Sequence, residues 1–362
     1  MNARIESHSP YKKQQGVALV TALLIVSLAT IMAVSLVSRQ YMDVRRTGNI
    51  MSSDKAYLQA LTMEASAMHL LKFTRSNLGK KYDDKNEFDQ AVLTLNASAL
   101  EVAEGEAQVS LELEYPEAKF NVNSLLDSKG KADPKRRPQF ISLFTLVLDE
   151  IDQPTHIAEA LVDSLIDWID EDQDVEPNGA EDSVYESNDP PYKTADHPMK
   201  SISELKLIDG FTDEILYGLP ADPQVKDSEP VPGLLHYLAA LPNDATMSFN
   251  FLTEPKILQA ISPSITKTMA ENIINEPFFK ENTDFYDHAD FKALDTKATK
   301  KDYTNMMDAI KAISWDPQST YFTAKSTATL GNSVFLLNSL VSVNTVGDKV
   351  FVESRAIGTD GI

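Results

Sequence analysis

The longest apolar block comes first. After a polar, slightly basic start, VALVTALLIVSLATIMAVSLV runs from Val17 to Val37 without a charged residue. At 1.5 Å per residue a helix of this length reaches about 32 Å, enough to cross the hydrocarbon core of a bilayer. Beyond it, Leu58, Leu61, Ala65, Met68 and Leu71 recur at spacings of three and four. That is the period of one helix face, so the helix is expected to continue and lay this face on a sheet. AQVSLELEYP, Ala107 to Pro116, alternates like a half-buried strand, and Lys119 to Val122 is expected to pair beside it. Three more runs rich in Val, Phe, Thr and Tyr close the chain: YFTAKSTATL, SVFLLNSLVSV and KVFVESRAI. Gly331-Asn332 and Gly347-Asp348 separate them as hairpin turns. From Pro134 to Trp315 the apolar period is helical and broken by prolines, as in FISLFTLVLDEI, HIAEALVDSLIDWI and GLLHYLAAL. The pattern predicts an α+β fold, a long N-terminal helix on an antiparallel sheet with a large all-α domain inserted.

Composition narrows the chemistry. A chain of 362 residues with 43% hydrophobic content can bury a real core. Its formal net charge of −21 repels a phosphate backbone, which excludes nucleic acid as the main partner. Ser201 to Leu219, with Gly210 in its turn, has the shape of half a helix-hairpin-helix element, but in so acidic a neighbourhood it reads as helix packing. With no cysteine there is no disulfide, thiol nucleophile or Cys-ligated metal. The chain lacks G-x-S-x-G, a Walker loop, H-E-x-x-H and G-x-G-x-x-G, and its histidines are scattered, so no enzyme is predicted.

One stretch does carry chemistry. From Asp163 to Asp189 there are 11 acidic residues and no lysine or arginine. Two like charges 4 Å apart repel by roughly 4 kcal/mol at an effective dielectric near 20, so folding this stretch compactly calls for a cation. Asp170, Asp172, Asp174, Asn178 and Glu181 fall at relative positions 1, 3, 5, 9 and 12 of a calcium loop. Val175 stands where an EF-hand needs glycine, so the oxygen chemistry is retained and the EF-hand is not. A flexible carboxylate loop suits calcium better than magnesium, which demands a tight octahedron.

Resemblance sharpens these expectations. KKQQGVALVTALLIVSL resembles the class III leader of type IV pilins and pseudopilins, which implies cleavage after Gly16 by a prepilin peptidase and N-methylation of Val17. Ala18, Ala22, Ala29 and Ala33 give the following helix a small face for close packing. In that family the fifth mature residue is usually a glutamate that answers the terminal amine of the subunit ahead; here it is Thr21. A subunit with no neighbour ahead needs no such carboxylate. Asp167-Trp168-Ile169-Asp170, Gly179-Ala180-Glu181-Asp182 and Pro191-Tyr192 resemble the D-W-x-D, G-A-E-D and P-Y signature of the protein K family of type II secretion, the minor pseudopilins at the filament tip.

That resemblance implies calcium held by Asp170, Asp172, Glu181 and Asp182, with Asp167, Asp174 and Asn188 in reserve. It implies a single-pass inner-membrane protein, anchored in lipid, with its body in the periplasm. The implied partners are the I-type and J-type minor pseudopilins and the other pseudopilins of the filament. The expected divisions are a leader (1–16), a membrane and assembly helix (17–38), the pseudopilin helix and first strands (39–133), the inserted α-domain (134–315) and the closing strands (316–362). The competing reading is a membrane-anchored, calcium-binding extracytoplasmic adhesion or interaction protein.

Overall fold

The computed structural model describes residues 15–77, 102–104, 107–225, 228–276, 279–316, 319–331, 333–344 and 349–358. Helix α1 (Gln15–Asn77) is continuous for 63 residues, about 95 Å at the α-helical rise. Its apolar side chains between Val17 and Val37 are exposed, and this part is long and apolar enough to cross a membrane. Most of the expected leader, residues 1–14, lies outside the described residues; Gly16 and Val17 stand in the first turn of α1.

Five antiparallel strands lie side by side in chain order: β1 (Val102–Glu104), β2 (Ala107–Glu114), β3 (Tyr321–Leu330), β4 (Ser333–Asn344) and β5 (Lys349–Ile357). β2 pairs directly with β3, Ala107 opposite Leu330 and Glu114 opposite Thr323, so everything between residues 114 and 321 is inserted in the sheet. Between β3 and β4, Leu330 opposes Ser333 and Gly331 has a positive φ of 59°, as suits a tight hairpin; Asn332 of the expected turn lies outside the described residues. The Gly347-Asp348 turn lies outside the described residues, although Asn344 opposes Lys349 across it.

Strand alternation turns Val109, Leu111, Leu113, Phe322, Ala324, Ala328, Leu337 and Val341 toward α1. The helix meets them with Ala56, Ala60, Met63, Ala67 and Leu71, a different face from the one the leucine spacing predicts. Leu58 and Ala65 are exposed, and Leu61 and Met68 are only partly buried. Alanines prevail because they let the helix backbone lie close over the sheet, where a row of leucines would hold it off.

One charge is buried in this interface. Glu64 accepts hydrogen bonds from Arg355 at 2.7 and 2.8 Å and from the Ser339 hydroxyl at 2.5 Å. Burial alone would raise its pKa, but the bonds from Arg355 and Ser339 and the arginine's charge hold it below the ordinary value. A β-bulge aims the arginine. Leu340 opposes Ser354 while Val341 opposes Val352, leaving Glu353 as the extra residue, after which side-chain alternation flips. Val350 and Val352 therefore face α1 before the bulge, and Arg355 faces it afterwards.

The insert carries helices α2 (Arg136–Glu150), α3 (Ala158–Ile169), α4 (Asp182–Tyr185), α5 (Asp213–Tyr217), α6 (Pro255–Ile261), α7 (Lys267–Asn275), α8 (Asn282–Tyr286), α9 (Ala289–Ala293) and α10 (Lys300–Lys311). They surround a core of their own, in which Phe140, Leu143, Phe144, Val147 and Leu148 form the buried stripe of α2. Phe120–Asn121 does not pair beside β2 as expected; it pairs in parallel with Leu238–Ala239 inside the insert. Buried amides fix that placement. Asn121 receives the Leu241 amide at 3.0 Å and donates to the Pro242 carbonyl at 2.9 Å. Asn123 receives the Met199 amide at 2.7 Å and donates to the carbonyls of Met199 and Leu241 at 2.8 and 2.7 Å. Ser201 to Leu219 is a 3₁₀ turn and a short helix, with Ile202, Leu205, Ile208, Phe211, Ile215 and Leu216 buried in the same core.

The insert is tied to the sheet at its two chain crossings. The Glu117 carboxylate accepts bonds from the Ser319 hydroxyl and from the backbone amides of Thr320 at 2.6 Å and Tyr321 at 3.1 Å. Beside it, Tyr115 stacks on Phe251 at 4.3 Å and meets the edge of Phe322 at 5.8 Å.

Candidate metal centre

Helix α3 is buried on almost every side, which forces two of its carboxylates inside. Asp163 and Asp167 are four residues apart, hence on one face, and both are fully buried. Asp170 caps the C-terminal end and is 5% exposed. The chain then loops back so that Glu181, 3% exposed, joins them just before α4. Gly179 permits the return. A Cβ there would lie 2.0 Å from Oδ2 of Asp167 and 3.2 Å from the Asp163 carbonyl oxygen. An aromatic floor supports the loop: Trp168 meets the edges of Tyr185 at 5.4 Å and Tyr192 at 6.4 Å.

Asp163 is satisfied. It takes bonds from Arg137 at 2.9 and 2.5 Å and from the Asn178 side chain at 3.1 Å. Its three neighbours are not: Oδ2 of Asp167, Oδ1 of Asp170 and both carboxylate oxygens of Glu181 are buried with no hydrogen-bond partner. Such atoms are costly in a folded protein and call for an explanation, an ion among them. The electrostatics agree. Burial, then repulsion from Glu176 and Asp163 against the amide bonds of Glu176 and Ala180, raises Asp167 to about 6. Burial and the charges of Asp172 and Asp167 raise Asp170 to about 7. Burial and the charges of Asp167, Asp170, Asp196 and Asp182 raise Glu181 to about 8.

Asp172 and Asp182 differ. Asp172 binds Lys131 and accepts the Asp174 amide at 3.0 Å, and these bonds hold it below the usual carboxylate value. Asp182 is likewise held down by Lys193 at 2.5 Å and Thr194 at 2.8 Å. Asp174 is an exposed neighbour of Asp172. Asn188 is exposed, and its side chain makes no hydrogen bond among the described residues. The segment is thus less starved of cations than its own composition suggests, because Lys131, Arg137 and Lys193 arrive from outside it. Asn178, a position of the calcium-loop spacing, turns instead to Asp163. Asp196 was not expected at the site. It sits at a φ of 51° with its amide on the Trp168 carbonyl, and its charge acts on Glu181.

Among the described residues no three carboxylates or imidazoles stand in a preformed ligand cage. As folded, Asp167, Asp170 and Glu181 form a repelling cluster. The donors nevertheless fit a hard cation: every group is an oxygen, four of the oxygens are buried and unsatisfied, and neither cysteine nor histidine takes part.

The comparisons fall on this region. Residues 118–220, which contain the cluster, match a family model described as type II secretion system, protein K. The chain is 26% identical to the type II secretion system protein K of Pseudomonas aeruginosa over 353 residues, covering 96% of this chain and 94% of that one. It is 27% identical to that of Pectobacterium carotovorum over 73% of this chain and 75% of the relative. Over most of its length the chain is similar to protein K of type II secretion. Its fold is similar to one in the crystal structure of the GspK-GspI-GspJ complex of enterotoxigenic Escherichia coli, with a TM-score of 0.62 at 20% identity over 87% of this chain and all of that one. The long helix, antiparallel sheet and helical insert are the fold that the sequence predicts.

Proposed function

We propose that this chain is the tip subunit of a type II secretion pseudopilus. It joins I-type and J-type minor pseudopilins, initiates and caps the filament, and so supports export of folded proteins across the outer membrane. Its role is mechanical and not catalytic. A prepilin peptidase cuts after Gly16, Val17 is N-methylated, α1 is anchored in inner-membrane lipid, and the body stands in the periplasm. The observation that carries the reading is the fifth residue after the cut. Thr21 is uncharged, and its hydroxyl lies 3.1 and 3.0 Å from the carbonyls of Val17 and Ala18 in its own helix. A subunit packed ahead would find nothing there to answer its terminal ammonium in hydrocarbon. Assembly with I-type and J-type subunits is supported by the fold it shares with a complex of GspK, GspI and GspJ.

We further propose that Asp170, Asp172, Glu181 and Asp182 bind calcium, with Asp167 behind them and Asp174 and Asn188 at the margin. Calcium would supply the positive charge that the unsatisfied oxygens of Asp167, Asp170 and Glu181 call for. Co-expression with the I-type and J-type subunits of the same system tests the assembly: a ternary complex should co-purify from detergent, and its absence would favour a solitary anchored protein. Gly16→Leu should leave the leader attached, seen as retained mass at the N-terminus.

A further inference from the structure

The bonds flanking the buried carboxylates reach one step further, resting on the calcium reading above. We propose that Lys131 is a tethered counter-cation that competes with calcium for the Asp170 and Asp172 end of the site.

Lys131 comes from a turn 41 residues before Asp172 in sequence, and that turn is built to present it. Oδ1 of Asp127 accepts the amides of Lys129 at 2.7 Å and Lys131 at 3.1 Å. The Asp127 amide donates to the Lys131 carbonyl at 2.7 Å, and Gly130 turns the chain at a φ of 73°. Leu126 and Ala132 bridge its base. The Lys131 ammonium is thereby set on Oδ2 of Asp172, with Asp174 and Asp170 within reach of its charge.

Two features mark it as a competitor and not a structural bolt. It satisfies Asp172 alone and leaves the buried oxygens of Asp170 and Glu181 without a partner. Its side chain is 62% exposed, so the ion pair is weak and can open into water. A divalent ion that claims Asp172 must displace the ammonium and then sits beside a like charge. Lys193 holds Asp182 at the other end, but Asp182 keeps its two Thr194 donors if the lysine leaves, so Lys131 is the cation whose loss most frees a ligand.

Removing Lys131 therefore has opposite effects in the two states. The metal-free protein loses a counter-charge and melts lower, while calcium binds more tightly. The full chain in detergent, stripped with chelator, is titrated with calcium chloride by calorimetry and melted with and without the ion. Lys131→Met should tighten calcium binding about twofold to fivefold, the factor to which an exposed ion pair converts, and the gain should shrink at high salt. Lys131→Arg should behave as the parent. Lys129→Met, which removes a charge from the same turn without touching Asp172, should tighten binding less. Unchanged or weaker binding by Lys131→Met, or an equal gain from Lys129→Met, overturns the role of Lys131 while the calcium site stands. No calcium binding by the parent overturns the calcium reading itself, and this inference with it.

Discussion

Neutralising one carboxylate of the cluster should stabilise the metal-free protein, the reverse of what loss of a buried polar group usually does. Glu181→Gln keeps the shape of the side chain and removes an acid that burial and the charges of Asp167 and Asp170 keep protonated in the folded chain, while the unfolded chain releases that proton. Holding that proton at pH 7, about 2.5 pH units above the ordinary value, costs the metal-free protein about 3 kcal/mol. The new amide is as short of partners as the two oxygens it replaces, at a cost of about 1–2 kcal/mol. The net gain is about 1–2 kcal/mol, or roughly 4 °C in Tm for a domain of this size. The pH dependence fixes the sign. An acid raised in the folded state stays protonated there while its unfolded counterpart ionises near 4, so stability falls as pH rises through the window. With folded values of about 6, 7 and 8 for Asp167, Asp170 and Glu181, the metal-free parent should weaken steadily from pH 4 to 8. Glu181→Gln should flatten the upper part of that slope. Calcium at 100 times its Kd should stabilise the parent by about 2.7 kcal/mol and the variant far less. Differential scanning fluorimetry across pH, with chelator or calcium, reads all of this. A variant that melts lower without metal yet keeps the full calcium response would refute the argument.

The remaining tests concern the frame. Arg355→Met should cost about 2 kcal/mol at pH 7 by leaving Glu64 buried with Ser339 alone. Because the Glu64 pKa is depressed, the pair's contribution is present above the unfolded value and lost as pH falls through the folded one, so the cost should fade toward pH 3 in acid melts. Asn123→Leu removes three buried hydrogen bonds at once and should lower stability by about 3 kcal/mol in chemical denaturation. Gly179→Ala should push the return loop off Asp167 and weaken calcium binding at least tenfold by calorimetry, with far-UV circular dichroism unchanged.

Periodicity made most of this fold legible, but only where periodicity was the cause. The alternation in AQVSLELE and in the three closing runs is the alternation of β2, β3, β4 and β5, because each has one face against α1. The same reasoning misplaced the helix face. Leu58, Leu61, Ala65, Met68 and Leu71 have the right spacing, yet so do Ala56, Ala60, Met63, Ala67 and Leu71, and hydrophobicity favours the first set while closeness of approach favours the second. A strand bulge at Glu353 is invisible to a period-two reading, so the Glu64 and Arg355 pair could not be anticipated. The candidate site divides along similar lines. Asp167, Asp170 and Glu181 belong to short local motifs and meet because α3 and its return loop are local structure. Lys131, Arg137 and Lys193 meet the cluster only through the packing of the insert, and Asp196 only through a left-handed turn at a residue that is not glycine. Acidic spacing along a chain therefore counts candidate ligands but not the cations that already stand beside them. The balance between those cations and an added metal ion is a property of the folded site, which is why the decisive measurements compare the metal-free and calcium-bound states and not the wild type with a bare deletion.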